Sequence, residues 1–386
     1  MPRLFLNGNL CLKIKFCYNI KKKKECIIKV KYTTHIEKIE GLAEDEKESL
    51  KEVSDKFKFR SNSYYNSLID FSNPNDPIRN IIIPKLSELD ETYSDLDPSS
   101  EHSYMVVNGL EHKYEDTALI LFNNVCGGYC RFCFRKRLFL DENDDTINDL
   151  SEAIDYIKNH KEIKNVLVTG GDPFITGSRK VTDFLKELSK IEHIQFIRVG
   201  SKMLAFNPFI FLDTDLVDRL KEIHKTKKLK IMAHFNHPKE ITNYTKEAID
   251  KIRQTGIMIY NQTPIIRGVN DNSQTIIELI EKLIEVDVIP YYFFQMRPTA
   301  GNYGYSVPIN EVLNILNNAF KELPGVYKNV KYTMSHKSGK IEIIGVFEDT
   351  IVFKYHRAAK KEDTGKLIIC KNNIEGRWLE DFERIV

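Results

Sequence analysis

The chain has almost no net charge, no long apolar run and no fourth cysteine beside its three clustered ones. Of its 386 residues, 57 are basic and 55 acidic, which leaves a formal +2 at neutral pH. So small an excess offers no strong attraction to nucleic acid or an anionic membrane and points to a small-molecule partner. No run of about 18 apolar residues is present to cross a bilayer, and no cleavable signal pattern is evident. The cysteines number seven, an odd count without the spacing of a disulfide framework. Secretion is therefore disfavoured, and a reducing cytoplasm is the expected location.

What the chain does have is CGGYCRFC, with Cys126, Cys130 and Cys133 following an apolar run and Phe132 just before the last. Three thiolates this close form a soft pocket suited to iron-sulfur or zinc, one ligand short of four. Cys11, Cys17, Cys26 and Cys370 lack short metal-ligand spacing to it. An open coordination position is a property of reactive metal sites, whereas structural zinc sites are closed. A non-catalytic metal-binding protein is the competing reading, and it would bind metal without turnover.

The pattern divides the chain into a Lys-rich leader at 1–35, a helical cap at 36–117, an α/β core at 118–297 and a C-terminal extension at 298–386. KKKKECIIKV in the leader is compatible with purine-rich DNA of the ribosome-binding type, which would put the natural start near Val30. In the cap, Leu50, Val53 and Phe57 recur at helical spacing behind an acidic first turn, while SNPNDP and SDLDPSSEHS read as loops. From Ala118, six apolar segments alternate with amphipathic ones such as that carrying Ile147, Leu150, Ile154 and Ile157. Such alternation predicts a parallel sheet covered by helices, closed or partly closed as a barrel. After residue 330, short segments with period-two alternation predict a small antiparallel addition.

In an α/β barrel the loops at the strand C-termini build the active site. That rim carries the cysteines, GGDP, Ser201, His234, Asn236, Gln262 and Arg297. Gly170 and Gly171 would let the backbone approach a ligand, and Asp172 could accept from an ammonium. Tyr355, His356 and Arg357 receive no assignment, since an exposed strand end accounts for them.

The C-x3-C-x2-C motif with Phe132 resembles the signature of the radical S-adenosylmethionine superfamily. That resemblance implies a partial (β/α)6 barrel and a [4Fe-4S] cluster on the three cysteines. It also implies S-adenosylmethionine on the fourth iron and a reductant such as flavodoxin or ferredoxin; a homo-oligomer is compatible with it. Over the longer segments YYNSLIDFSNPNDPIRN, VNGLEHKYEDTALIL, TGGDPF, AHFNHPKEIT, NQTPIIRGVNDN and PYYFFQM, the chain is similar to the lysine 2,3-aminomutase family. The similarity implies 2,3-migration of an amino group on an amino acid held by pyridoxal phosphate. S-adenosylmethionine contacts would then fall on Phe132, Gly170, Gly171, Asp172, Ser201, His234 and Gln262, and a substrate carboxylate on Arg135. Lys340, after Gly339, would attach pyridoxal phosphate, with Lys113 and Tyr114 near its phosphate. Three departures stand out. Arg297 replaces an aspartate that holds the lysine ammonium, Thr117 replaces an arginine, and most of a glycine run before Lys340 is missing. Arg297 inverts the pocket charge and disfavours lysine as substrate. A rearrangement or epimerisation without pyridoxal phosphate is the alternative within this superfamily.

Overall fold

The computed structural model describes residues 29–140, 145–147 and 149–385. Cys11, Cys17, Cys26 and the lysine run of the leader lie outside the described residues. Strands β1 (Tyr32–Thr33) and β2 (Ser61–Asn62) make a small ribbon. All others join one twelve-stranded sheet: β3 (Met105–Val107), β4 (Leu110–Tyr114), β5 (Thr117–Leu121), β6 (Asn165–Thr169), β7 (Phe196–Ser201), β8 (Lys228–Ala233), β9 (Met258–Pro264), β10 (Ile289–Phe294), β11 (Lys331–His336), β12 (Gly339–Phe347), β13 (Thr350–Ala358) and β14 (Leu367–Lys371). They lie in unbroken chain order, and β3 and β14 form its two free edges, so the barrel is open.

From β5 to β11 every pairing is parallel, and each crossover carries a helix. The predicted strand-helix alternation is thus observed, with two corrections. β11 pairs parallel with β10 through Tyr292↔Lys331 and Phe294↔Thr333, so the antiparallel addition begins only at β12. The helix Ile309–Glu322 supplies the crossover that makes this geometry available. The cap also contributes β3 and β4, which extend the sheet antiparallel from β5.

The helices bury the stripe their sequences prescribe. Leu150–Asn159 buries Ala153 and Ile157 and is capped by Asp149, whose side chain accepts from Ser151 N. Ile147 precedes that helix and instead donates its N–H to Leu121 O at 2.9 Å, latching the incoming chain to β5. In the cap, the predicted single helix breaks at Leu50 into Glu44–Ser49 and Lys51–Lys56, yet Leu50, Val53 and Phe57 are all buried. One large apolar cluster fills the space between the sheet and the helices, and a second lies under β11–β14. Among the described residues no helix is long and apolar enough to cross a membrane.

Candidate active site

Strand alternation sends every second residue of the parallel sheet into a single cavity of about 350 Å³. Leu119, Thr169, Gly200, Met232, Gln262 and Phe294 form its wall, one from each of successive strands. The three cysteines, Phe132, Gly170, Gly171, Asp172, Ser201, His234, Gln262, Lys113, Tyr114, Arg135, Arg297 and Lys340 line this cavity, whereas Asn236, expected on the same rim, is buried outside it and accepts from Lys202 Nζ at 2.8 Å.

The cysteines occupy the loop after β5, which is held by the cap rather than by its own turns. Tyr129 N donates to Arg60 O at 2.9 Å and Arg131 N to Ile81 O at 2.9 Å, while Arg60 Nε donates to Cys126 O at 2.8 Å. Below the loop, Arg131 is buried against Glu88 with Nη2···Oε2 at 2.8 Å. Burial and, for Cys126, the neighbouring Asp172 charge push the thiols up, Cys130 to about 12 despite the opposing charge of Lys202. Three thiolates therefore form here only against a compensating cation, as an iron cluster provides. No three His, Cys, Asp or Glu side chains among the described residues converge as one metal ion requires.

The GGDP segment behaves differently from expectation. A Cβ on Gly171 would sit 2.4 Å from Val125 O, and one on Gly170, where φ is 111°, 2.7 Å from Asn123 O. The close approach is to the cysteine loop's own backbone. Gly171 N donates to Asn123 O at 2.6 Å and Asp172 N to Val125 O at 2.8 Å. Asp172 already receives Phe174 N, Ser201 Oγ and Lys202 N at 3.1, 2.9 and 2.7 Å. Its carboxylate ties the end of β6 to that of β7, and burial raises it to about 6.

His234 faces the cavity edge-on to Phe132, with ring centroids 6.2 Å apart. Burial and the Lys202 charge push it down to about 3, so the imidazole is neutral. Lys202, which sequence reasoning missed, is buried and donates to His234 O, Asn236 Oδ1 and Glu240 Oε1 at 2.7, 2.8 and 2.5 Å.

Arg135 is less free than the resemblance implies. Glu101, from a segment read as loop, accepts from its Nε at 3.2 and 3.1 Å and from its Nη2 at 2.9 Å. The Nη1 edge, 3.4 Å from Thr169 Oγ1, is what remains for a substrate carboxylate. Glu101 also takes Arg137 at 2.7 Å and Arg297 at 3.5 Å, and these guanidiniums hold it far below the usual carboxylate range. Burial and the Glu101 charge push the neighbouring Glu111 up to about 8.

At the other end of the cavity, Lys340 lies 4.5 Å from the rings of both Tyr292 and Phe294. Burial, then the charges of Arg297, Arg198, Arg357 and Lys113, hold it well below an ordinary lysine. Arg198 on β7 donates Nη2 to Asn165 Oδ1 at 2.6 Å, but its buried Nε has no partner. Lys113 donates to His336 O at 2.7 Å and is lowered to about 8, chiefly by burial. Cations outnumber carboxylates here, as a bound phosphate would require. Arg357, which the sequence left unassigned as part of an exposed strand end, lines the cavity, as does Arg198, to which the sequence drew no attention.

The Radical SAM superfamily model matches residues 120–280, from β5 through most of the helix before β10. A provisionally named L-lysine 2,3-aminomutase of Aquifex aeolicus is 49% identical over 93% of this chain and 96% of its own. The L-lysine 2,3-aminomutase of Clostridium subterminale is 32% identical, over 75% of this chain and 69% of its own. The glutamate 2,3-aminomutase of Clostridioides difficile is 33% identical, over 73% of this chain and 66% of its own. Among solved structures, a radical SAM methyltransferase from Sphaerobacter thermophilus aligns at 17% identity and a TM-score of 0.40, covering 58% of this chain and 68% of that one.

Proposed function

Because the chain belongs to the lysine 2,3-aminomutase family of radical S-adenosylmethionine proteins, we propose that it moves an amino group between neighbouring carbons of an amino acid other than lysine. One observation carries the reading: a trio of thiols and a buried lysine amine ringed by cations open on the same cavity. When bound, a [4Fe-4S] cluster with S-adenosylmethionine supplies the radical that removes a hydrogen atom, and pyridoxal phosphate supplies the carbonyl that carries the migrating nitrogen.

This chain's residues divide that work by position. Cys126, Cys130 and Cys133 would hold three irons and leave the fourth open. Neutral His234, Ser201 and Gln262 offer hydrogen bonds to a nucleoside without adding charge. The Lys340 amine, held well below an ordinary lysine by burial and the surrounding cations, would act as the nucleophile toward an aldehyde. Lys113, Arg198 and Arg357 would take the phosphate, and Arg135 Nη1 the substrate's α-carboxylate. The sheet and helices keep water from a reactive radical. A reduced flavodoxin or ferredoxin in the cytoplasm would furnish the electron.

The test is deuterium transfer from labelled amino acids into 5'-deoxyadenosine, using anaerobically reconstituted protein. Transfer that requires pyridoxal phosphate and yields a β-amino acid supports the proposal. Transfer without the cofactor, or a racemised product, favours the rearrangement or epimerisation alternative. Metal binding with no cleavage of S-adenosylmethionine would leave only a metal-binding protein.

A further inference from the structure

The charged groups around the substrate end of the cavity are unequally satisfied. Glu101 is saturated by Arg135 and Arg137. Glu111 is 5% exposed and opens on the same cavity, yet its Oε1 has no hydrogen-bond partner. Its one ion-pair contact is Arg135 Nη2 at the outer limit of 4.0 Å. Arg297 stacks on Phe134 at 3.6 Å and reaches a carboxylate only at Glu101, 3.5 Å away. Each lies in the other's field, but Glu111 and Arg297 do not pair. A buried carboxyl and a buried guanidinium that face one cavity with capacity to spare leave a place for a group that satisfies both.

We propose that Glu111 and Arg297 together hold the side-chain carboxylate of an acidic amino acid, Arg297 through its guanidinium N–H groups and Glu111 through a carboxyl O–H. This assignment rests on the amino-acid reading above and names its substrate class. A carboxyl can donate here because Glu111 is buried and the Glu101 charge lies in its field, and an arriving anion adds to that repulsion. Arg135 from the cysteine loop, Arg297 from the segment after β10 and Lys113 on Glu111's own strand oppose the effect. Lysine meets Arg297 without a free counter-charge. A side-chain carboxamide forgoes the charge of the pairing.

The experiment is anaerobic calorimetric titration of the reconstituted full chain with aspartate, glutamate, glutamine and lysine, from about pH 6.5 to 9.5 to span the Glu111 transition. The better of the two acids should bind on the order of tenfold or more tightly than glutamine or lysine. Its affinity should fall as rising pH ionises Glu111. Glu111→Gln, whose amide donates at every pH, should keep binding at neutral pH and flatten that fall. Lys113→Arg, which keeps a cation through the same range, should leave the fall in place. Tighter binding of lysine or glutamine, an unchanged pH profile in Glu111→Gln, or a profile flattened by Lys113→Arg overturns the assignment. Deuterium transfer from glutamine alongside such a result sinks this assignment only, whereas transfer from lysine, or none from any amino acid, sinks it together with the reading beneath it.

Discussion

Arg357 of β13 donates Nη2 to Thr117 Oγ1 at 3.1 Å, bringing a guanidinium to the start of β5, where the chain itself carries only a hydroxyl. The same arginine stacks on Tyr114 at 4.2 Å and pairs with Asp116. Antiparallel pairing of Lys340 with Arg357 fixes it beside the Lys340 amine. A cation missing from one strand is thus supplied by another that meets it in space. If Arg357 serves the phosphate, Arg357→Ala should weaken pyridoxal phosphate by about 10- to 100-fold while changing affinity for unphosphorylated pyridoxal by less than about threefold. Absorbance titration of the two compounds measures both. Equal losses would mean that Arg357 only braces the hairpin.

The field around Lys340 leads to a chemical prediction. Four cations and burial favour the neutral amine, so its apparent pKa lies well below that of a free lysine. Reaction with pyridoxal phosphate, trapped by borohydride and located by peptide mass, should therefore proceed at neutral pH and rise with pH about a midpoint far under 10. Lys340→Ala should abolish trapping at this position. Removing one nearby cation, as in Arg198→Ala, should move the midpoint upward, because less repulsion opposes protonation. An ordinary lysine midpoint, or label on another lysine, would remove Lys340 from the proposed chemistry.

The sequence revealed these groups in proportion to how local their signals were. Short-range patterns carried far. The spacing of Cys126, Cys130 and Cys133 named a candidate ligand set, near-continuous apolar runs located β5 to β10, and a 3.6-residue period marked the helix that follows β5. Glu101 and Glu111 escaped notice because their meaning depends on partners from the cysteine loop and the segment after β10, and nothing near them in sequence announces those partners. Arg198 on β7 received no assignment from the sequence, yet strand alternation turns it into the cavity. The parallel pairing of β11 was hidden for a related reason: period-two alternation identifies a strand but not the direction of its neighbour. The glycines of GGDP were read as letting the backbone approach a ligand, whereas the close approach they make is to the backbone of Asn123 and Val125.

Beneath the cysteine loop, Glu88 and Arg131 form a buried pair completed by Tyr305 OH at 3.0 Å and Lys136 Nζ at 3.5 Å. Removing one partner leaves the other charged and dry. Glu88→Ala should destabilise the protein by about 3–5 kcal/mol, measured by denaturant unfolding, and should lower iron bound per chain because Arg131 no longer anchors the loop. Replacing both, as Glu88→Leu with Arg131→Met, should recover much of the stability without the iron, since apolar groups fill space but do not accept Arg131's role toward Phe57 O and Lys58 O. Additive losses in the double variant would show that the two act independently.

Gly171→Ala separates the loop's docking from its ligands. The added methyl would meet backbone of Val125, with O at 2.4 Å and N at 2.6 Å, which no rotamer change can relieve. The end of β6 must then part from the cysteine loop, breaking the hydrogen bonds Gly171 N→Asn123 O and Asp172 N→Val125 O. Because the apolar cluster between the sheet and helices is untouched, the variant should still fold, with a loss of about 1–3 kcal/mol. Iron and sulfide retained after reconstitution should drop far more than stability does, although every thiol is present. Gly325→Ala is the control, since nothing lies within 4 Å of the methyl it would add. Full cluster content in Gly171→Ala would mean that the loop holds its thiols in position without help from GGDP.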